Sequence, residues 1–187
     1  MRKMVTHHDN GQDHDAEYYF MDAIGAFEEG KFLDAAQRFE LLAKLVPDHP
    51  LARLMLGRSL IELREFEKAV TALHGHLIID PNSVEARIYL GLAYTECGKQ
   101  DLAQEKFEEA LSIKTNSLLA MENLIIMKIS SGKLEEALAE LMKLKVEYPR
   151  DGNIIELIIL ALGRQGAWNA AKQYVHSLEA LTTATHA

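Results

Sequence analysis

The sequence predicts an all-α fold, a superhelical solenoid of about five stacked helical hairpins, from three observations. The chain repeats itself every 34 residues. Each repeat divides at a turn into two stretches whose apolar residues recur at helical spacing. Hydrophobic residues make up 48% and charged residues 26% of the 187-residue chain, values typical of a packed protein rather than a disordered one. A helical hairpin cannot bury its apolar surface alone, so neighbours must stack to form a continuous core.

Four sets of residues keep the register. Alanine recurs at Ala35, Ala69, Ala103, Ala137 and Ala171, and glycine at Gly30, Gly98, Gly132 and Gly166, with Arg64 standing in the second repeat. Proline recurs at Pro47, Pro81 and Pro149, with Thr115 completing the series, and a large apolar residue at Phe39, Leu73, Phe107, Leu141 and Val175. The repeats are then 16–49, 50–83, 84–117, 118–151 and 152–185, forming a single domain, and residues 1–15 are expected to be a disordered or flexible tail.

The first repeat opens with YYFMDAIGAFEEGKF, in which Phe20, Ile24 and Phe27 lie at i, i+4 and i+7 and leave the helix almost no polar side. Gly30 ends that helix and Pro47 stops the next one. In the second repeat, LGRSL precedes the Arg64 turn, and His76 follows Gly75 inside a helix, where glycine costs about 1 kcal/mol. The third repeat is the clearest: Ala86, Leu90, Ala93 and Tyr94 mark one helix, and Leu102, Ala103, Phe107, Ala110 and Leu111 its partner. Small Gly91 and Ala103 let the two backbones approach, and Phe107 fills the remaining space. The fourth repeat has Ile125, and the fifth Ile159, where a small residue stands earlier. In the last helix, Lys172 and Glu179 replace apolar residues of earlier repeats and form a partial polar cap, while Trp168, Tyr174, Val175, Leu178 and Leu181 keep it apolar.

These residues, above all LGLAY (Leu90, Gly91, Tyr94) with Ala103, Phe107 and Ala110, resemble the tetratricopeptide repeat over about nine tenths of the chain. The resemblance implies that the first helices line a concave groove, and that positions two, five, nine, twelve and thirteen of each repeat face it. Those positions hold 12 large apolar residues, seven glutamates and two arginines. The expected groove set is Phe20, Ile24, Phe27, Leu54, Arg58, Ile61, Glu62, Ile88, Leu92, Glu96, Glu122, Ile126, Ile129 and Leu160. Members of the family that bind other chaperones grip a terminal carboxylate with Lys and Asn. The corresponding positions here include Phe20, Ile24 and Met55, so that grip is not expected. An apolar groove is similar to that of the tetratricopeptide chaperones of bacterial secretion systems, which hold a hydrophobic segment of their partner.

Composition narrows the function further. A net charge of −8, without a Lys/Arg cluster, argues against nucleic acid. The single Cys97 excludes an internal disulfide, no run reaches the roughly 20 apolar residues of a membrane span, and the N-terminal residues lack the apolar stretch of a secretory signal. The expected location is the cytoplasm. GAFEEGKF has the glycine and lysine spacing of a phosphate loop, but Phe32 takes the Ser/Thr place. SSGK at 130–133 is the same repeat turn, three repeats later. His7, His8 and His14 lie among aspartates in the tail, Cys97 has no activating base nearby in sequence, and no metal site, cofactor or catalytic group is expected. The expected function is therefore that of a protein–protein interaction adaptor, scaffold or chaperone. Its groove would take an amphipathic helix or apolar peptide segment with basic flanks against the glutamate rim. The alternative is a self-assembling scaffold that forms a homodimer or larger oligomer through the groove or the last helix.

Overall fold

The computed structural model describes residues 12–184, with side chains over 15–182. Among the described residues every regular element is an α-helix: α1 Gln12–Glu28, α2 Phe32–Leu45, α3 Ala52–Glu62, α4 Phe66–Ile79, α5 Val84–Glu96, α6 Gln100–Ile113, α7 Leu118–Ser130, α8 Leu134–Glu147, α9 Gly152–Arg164 and α10 Trp168–Ala184. The second helices begin at residues 32, 66, 100, 134 and 168, in strict 34-residue register. Helix α1 begins at Gln12, so the expected tail is helical over its last residues; residues 1–11 lie outside the described part.

The turn inside each hairpin has one backbone solution. Gly30, Gly98, Gly132 and Gly166 have φ between 71 and 81°, and Arg64, in the same register, is forced to 60°. Across each turn an amide reaches back over the left-handed residue: Lys31 N–H donates to Ala26 O, Glu65 to Leu60, Lys99 to Tyr94, Lys133 to Lys128 and Ala167 to Leu162, all at 2.8–2.9 Å. This is the Schellman closure, which satisfies carbonyls the helix end would otherwise leave bare. Side-chain caps start three of the first helices. Ser83 Oγ accepts from Ala86 N at 3.2 Å, Asp151 Oδ1 from Ile154 N at 3.2 Å, and His49 Nδ1 from Ala52 N at 3.1 Å.

The helices group into two compact units, α1–α6 and α7–α10, where the sequence suggests one continuous array over 16–185. In the three-hairpin unit, α3 and α5 close tightly on their partners. A Cβ at Gly57 would lie 2.6 Å from the Leu73 side chain, and one at Gly91 2.5 Å from the Phe107 ring. Leu73 and Phe107 are fully buried, and burying such side chains contributes about 1.5–3 kcal/mol each. In the two-hairpin unit the equivalent positions are Ile125 and Ile159, whose branched side chains close that approach. Its core is instead built from Ile125, Ile129, Leu141, Leu144, Ile154 and Ile158. The packing scheme thus changes at the hairpin where the units divide.

Candidate partner-binding face

In the three-hairpin unit the first helices α1, α3 and α5 carry ten of the expected groove residues. Three of them, Phe20, Leu54 and Ile88, are buried. The Phe20 ring packs 5.8 Å from Phe39 and 4.9 Å from His49, among the alanines of α1 and α2 and Met55 of α3. These three residues share one repeat position, and packing against neighbouring helices covers that position. Phe20, Leu54 and Ile88 therefore belong to the core rather than to an open wall. Ile24, Phe27, Arg58, Ile61 and Leu92 remain half-buried, and Glu62 and Glu96 are exposed.

Arg58 occupies the middle of this face. Its guanidinium lies 4.9 Å from the Phe27 ring centroid and 5.3 Å from that of Tyr89, so one cation on α3 bridges aromatic residues of α1 and α5. Its Nη1 also donates to Met55 Sδ at 3.4 Å, and among the described residues no carboxylate pairs with it. Phe27 in turn meets Phe32 edge-on at 5.3 Å. Tyr89 was not among the expected groove residues, because it lies one place outside the family's groove positions; the only signal was an aromatic residue beside Ile88. Tyr18, Tyr19 and Met21 were also missed and are exposed on α1. They account for the second greasy side of that helix, which no other described element covers.

The rim is acidic. Glu28, Glu62 and Glu96 are exposed, and Arg64 approaches Glu96 at 3.6 Å in a solvent-screened pair. In the two-hairpin unit, Ile129 is buried in the core and its carbonyl accepts from Arg164 Nη1 at 3.3 Å. Ile126 and Leu160 are 40% and 44% exposed, while Glu122 is buried at 7%. Burial pushes the Glu122 carboxyl above the usual range, and the neighbouring Asp151 adds to the shift.

Residues 26–90 match the tetratricopeptide-repeat family. That segment is a tetratricopeptide repeat. The left-handed turn residue recurs in each of the five hairpins. No curated protein matches the chain's sequence. Among solved structures, the chain is similar to MamA, at 20% identity and a TM-score of 0.70 over 89% of this chain and 91% of that one. The MamA RS-1 ArsTM double mutant matches at 16% identity and 0.74 over 91% and 96%. The second tetratricopeptide domain of human RPAP3, solved in complex with an HSP70 peptide, matches at 22% and 0.59 over 62% and 97%. These likenesses concern the fold.

Other features of the chain are structural. GAFEEGKF ends α1 and turns into α2, and SSGK ends α7. Burial raises the Cys97 thiol above its ordinary range, the opposite of an activated nucleophile. Among the described residues no three His, Cys, Asp or Glu side chains are grouped to hold a metal, and no helix is long and apolar enough to cross a membrane. A cleft of about 500 Å³ lies between α2, α3 and α4, lined by Leu33, Ala36, Leu56, Leu60, Leu63 and Ala72, with Glu40, Glu65 and Lys68 at its edge. Sequence reasoning missed it, since it forms between second helices and the α3–α4 turn rather than along one helix stripe.

Proposed function

We propose that this protein is a cytoplasmic interaction adaptor or chaperone whose first-helix face on α1, α3 and α5 binds an apolar or amphipathic segment of a partner, with basic residues flanking the apolar ones. The observation that carries the reading is the set Ile24, Phe27, Ile61 and Leu92, half-buried on α1, α3 and α5, which also carry Arg58 over the Phe27 ring and the exposed Glu28, Glu62 and Glu96. Apolar residues left accessible on a folded face gain by being covered, and the glutamates favour a cationic flank. The RPAP3 domains, solved with HSP90 and HSP70 peptides, support a peptide-binding use of such repeats. The present face differs in chemistry, because Phe20, Ile24 and Met55 stand where the family's carboxylate grip needs Lys and Asn.

The test is titration of the full chain with a fluorescein-labelled helical peptide of leucine and arginine, its leucines at i, i+3, i+4 and i+7. Replacing Ile24, Ile61 and Leu92 together by Ser is expected to weaken binding at least about tenfold, with circular dichroism unchanged. Unchanged affinity, or lost helicity, would show that these residues do not form a binding face. A second reading, self-assembly through α10, is favoured by Trp168, 65% exposed, and by partly exposed Val175 on the same helix. Light scattering over a concentration series decides it; a constant monomer mass removes it.

A further inference from the structure

In the two-hairpin unit, α7 carries Leu119, Glu122 and Ile126 at i, i+3 and i+7, one stripe of the helix. Leu119 and Ile126 are 47% and 40% exposed, and Leu160 on α9 is 44% exposed. Glu122 sits between the two exposed residues of α7, yet its Oε1 is shut off from solvent and has no hydrogen-bond partner. The fold does not require a carboxyl there. The same position of the first three repeats holds Phe20, Leu54 and Ile88, all buried and all apolar. An unsatisfied buried polar group keeps its desolvation penalty, so Glu122 replaces an apolar packing residue at a cost to stability.

Among the described residues the surroundings supply no cation to offset that cost. Asp151, the N-cap of α9, is the charged neighbour felt at the carboxyl, and it has the same sign. Arg164, on α9, uses Nη1 on the Ile129 carbonyl, and Lys128 on α7 pairs with Glu140 at 2.5 Å. We propose that Glu122 receives an arginine side chain from a partner protein, within a segment whose apolar residues cover Leu119, Ile126 and Leu160. A guanidinium offers two parallel donors that match a planar carboxylate, and here the carboxyl has already been taken out of water by the fold, so only the guanidinium is desolvated on binding. The net charge of −8 draws cationic segments toward the chain and disfavours acidic ones. The inference extends the reading of first helices as binding faces to the second unit, and rests on it.

The experiment uses the full chain carrying Ile24→Ser, Ile61→Ser and Leu92→Ser, so that the three-hairpin unit does not contribute. Its probes are the labelled leucine–arginine peptide and a twin in which every arginine is citrulline, of similar shape but neutral. The arginine peptide is expected to bind about tenfold more tightly than its twin. Glu122→Gln removes that preference while leaving affinity for the citrulline peptide in place. Glu122→Leu, the residue type of the sibling position, also removes it and raises the urea midpoint, which separates loss of recognition from loss of folding. A preference that survives both substitutions overturns the assignment of Glu122. Absence of binding by either peptide in this background overturns it too, whereas failure of the α1–α3–α5 reading would appear as equal binding before and after the serine substitutions.

Discussion

At the scale of single residues, the strongest constraint is the turn between paired helices. Arg64 adopts φ 60°, a left-handed backbone that costs a side-chain-bearing residue about 1–2 kcal/mol. Its contacts, a ring face of Phe66 at 5.8 Å and the exposed Glu96 at 3.6 Å, return little of that in solvent. Arg64→Gly is therefore expected to stabilise the protein by about 1 kcal/mol in urea unfolding; a lower midpoint would contradict the strain argument. Two histidines give the three-hairpin unit a pH dependence. His76 is buried with neither ring nitrogen partnered, and His49 Nδ1 accepts the cap bonds of α3, so both favour the neutral ring. Burial lowers both below their ordinary value of 6.5, although Asp80 and Glu85 beside His76 and Glu17 near His49 oppose the shift. A lowered folded value means that the unfolded chain takes the proton first. Stability is then full above 6.5 and is lost as pH falls from there through the folded values. The urea midpoint should drop between about pH 7.5 and about pH 5.5, and His76→Leu should shrink the drop. An equal drop in that variant would remove His76 from the account.

At the scale of elements, the hairpin is set by which residue lacks a side chain. Gly91→Ala places a Cβ 2.5 Å from a ring carbon of Phe107, which is fully buried and cannot yield, so a loss of about 1–3 kcal/mol is expected despite the better helix former. Gly25 lies inside α1 with nothing within 4 Å of its would-be Cβ, and Gly25→Ala should gain up to about 1 kcal/mol. Thermal melts of the two variants should move in opposite directions; movement in the same direction would show that helix propensity rather than helix–helix contact decides. The elements were legible in the sequence because glycine, alanine and the large apolar residue mark turn, contact and filler at a fixed spacing. Arg64 kept that register although no side-chain preference favours it there. The division into two units was not legible, although the glycine-to-isoleucine change at Ile125 stands beside it.

At the scale of the whole molecule, the two units each display a first-helix face, and the sequence marked those faces only in part. Phe20, Leu54 and Ile88 looked identical in character to Ile24, Ile61 and Leu92, because hydrophobicity does not tell which side of a helix its neighbours cover. Glu122 looked like one more rim glutamate, although it stands at the repeat position of Phe20, Leu54 and Ile88 and is buried, unlike Glu62 and Glu96. The cleft between α2 and α4 offers a competing surface on the same unit. Methyl NMR of the full chain, with the isoleucine and leucine methyls labelled and the leucine–arginine peptide added, separates the two. The account predicts shifts at Ile24, Ile61 and Leu92 with Leu33 and Ile78 unmoved; shifts at Leu33, Leu60 and Leu63 with Ile24 and Ile61 silent would contradict it.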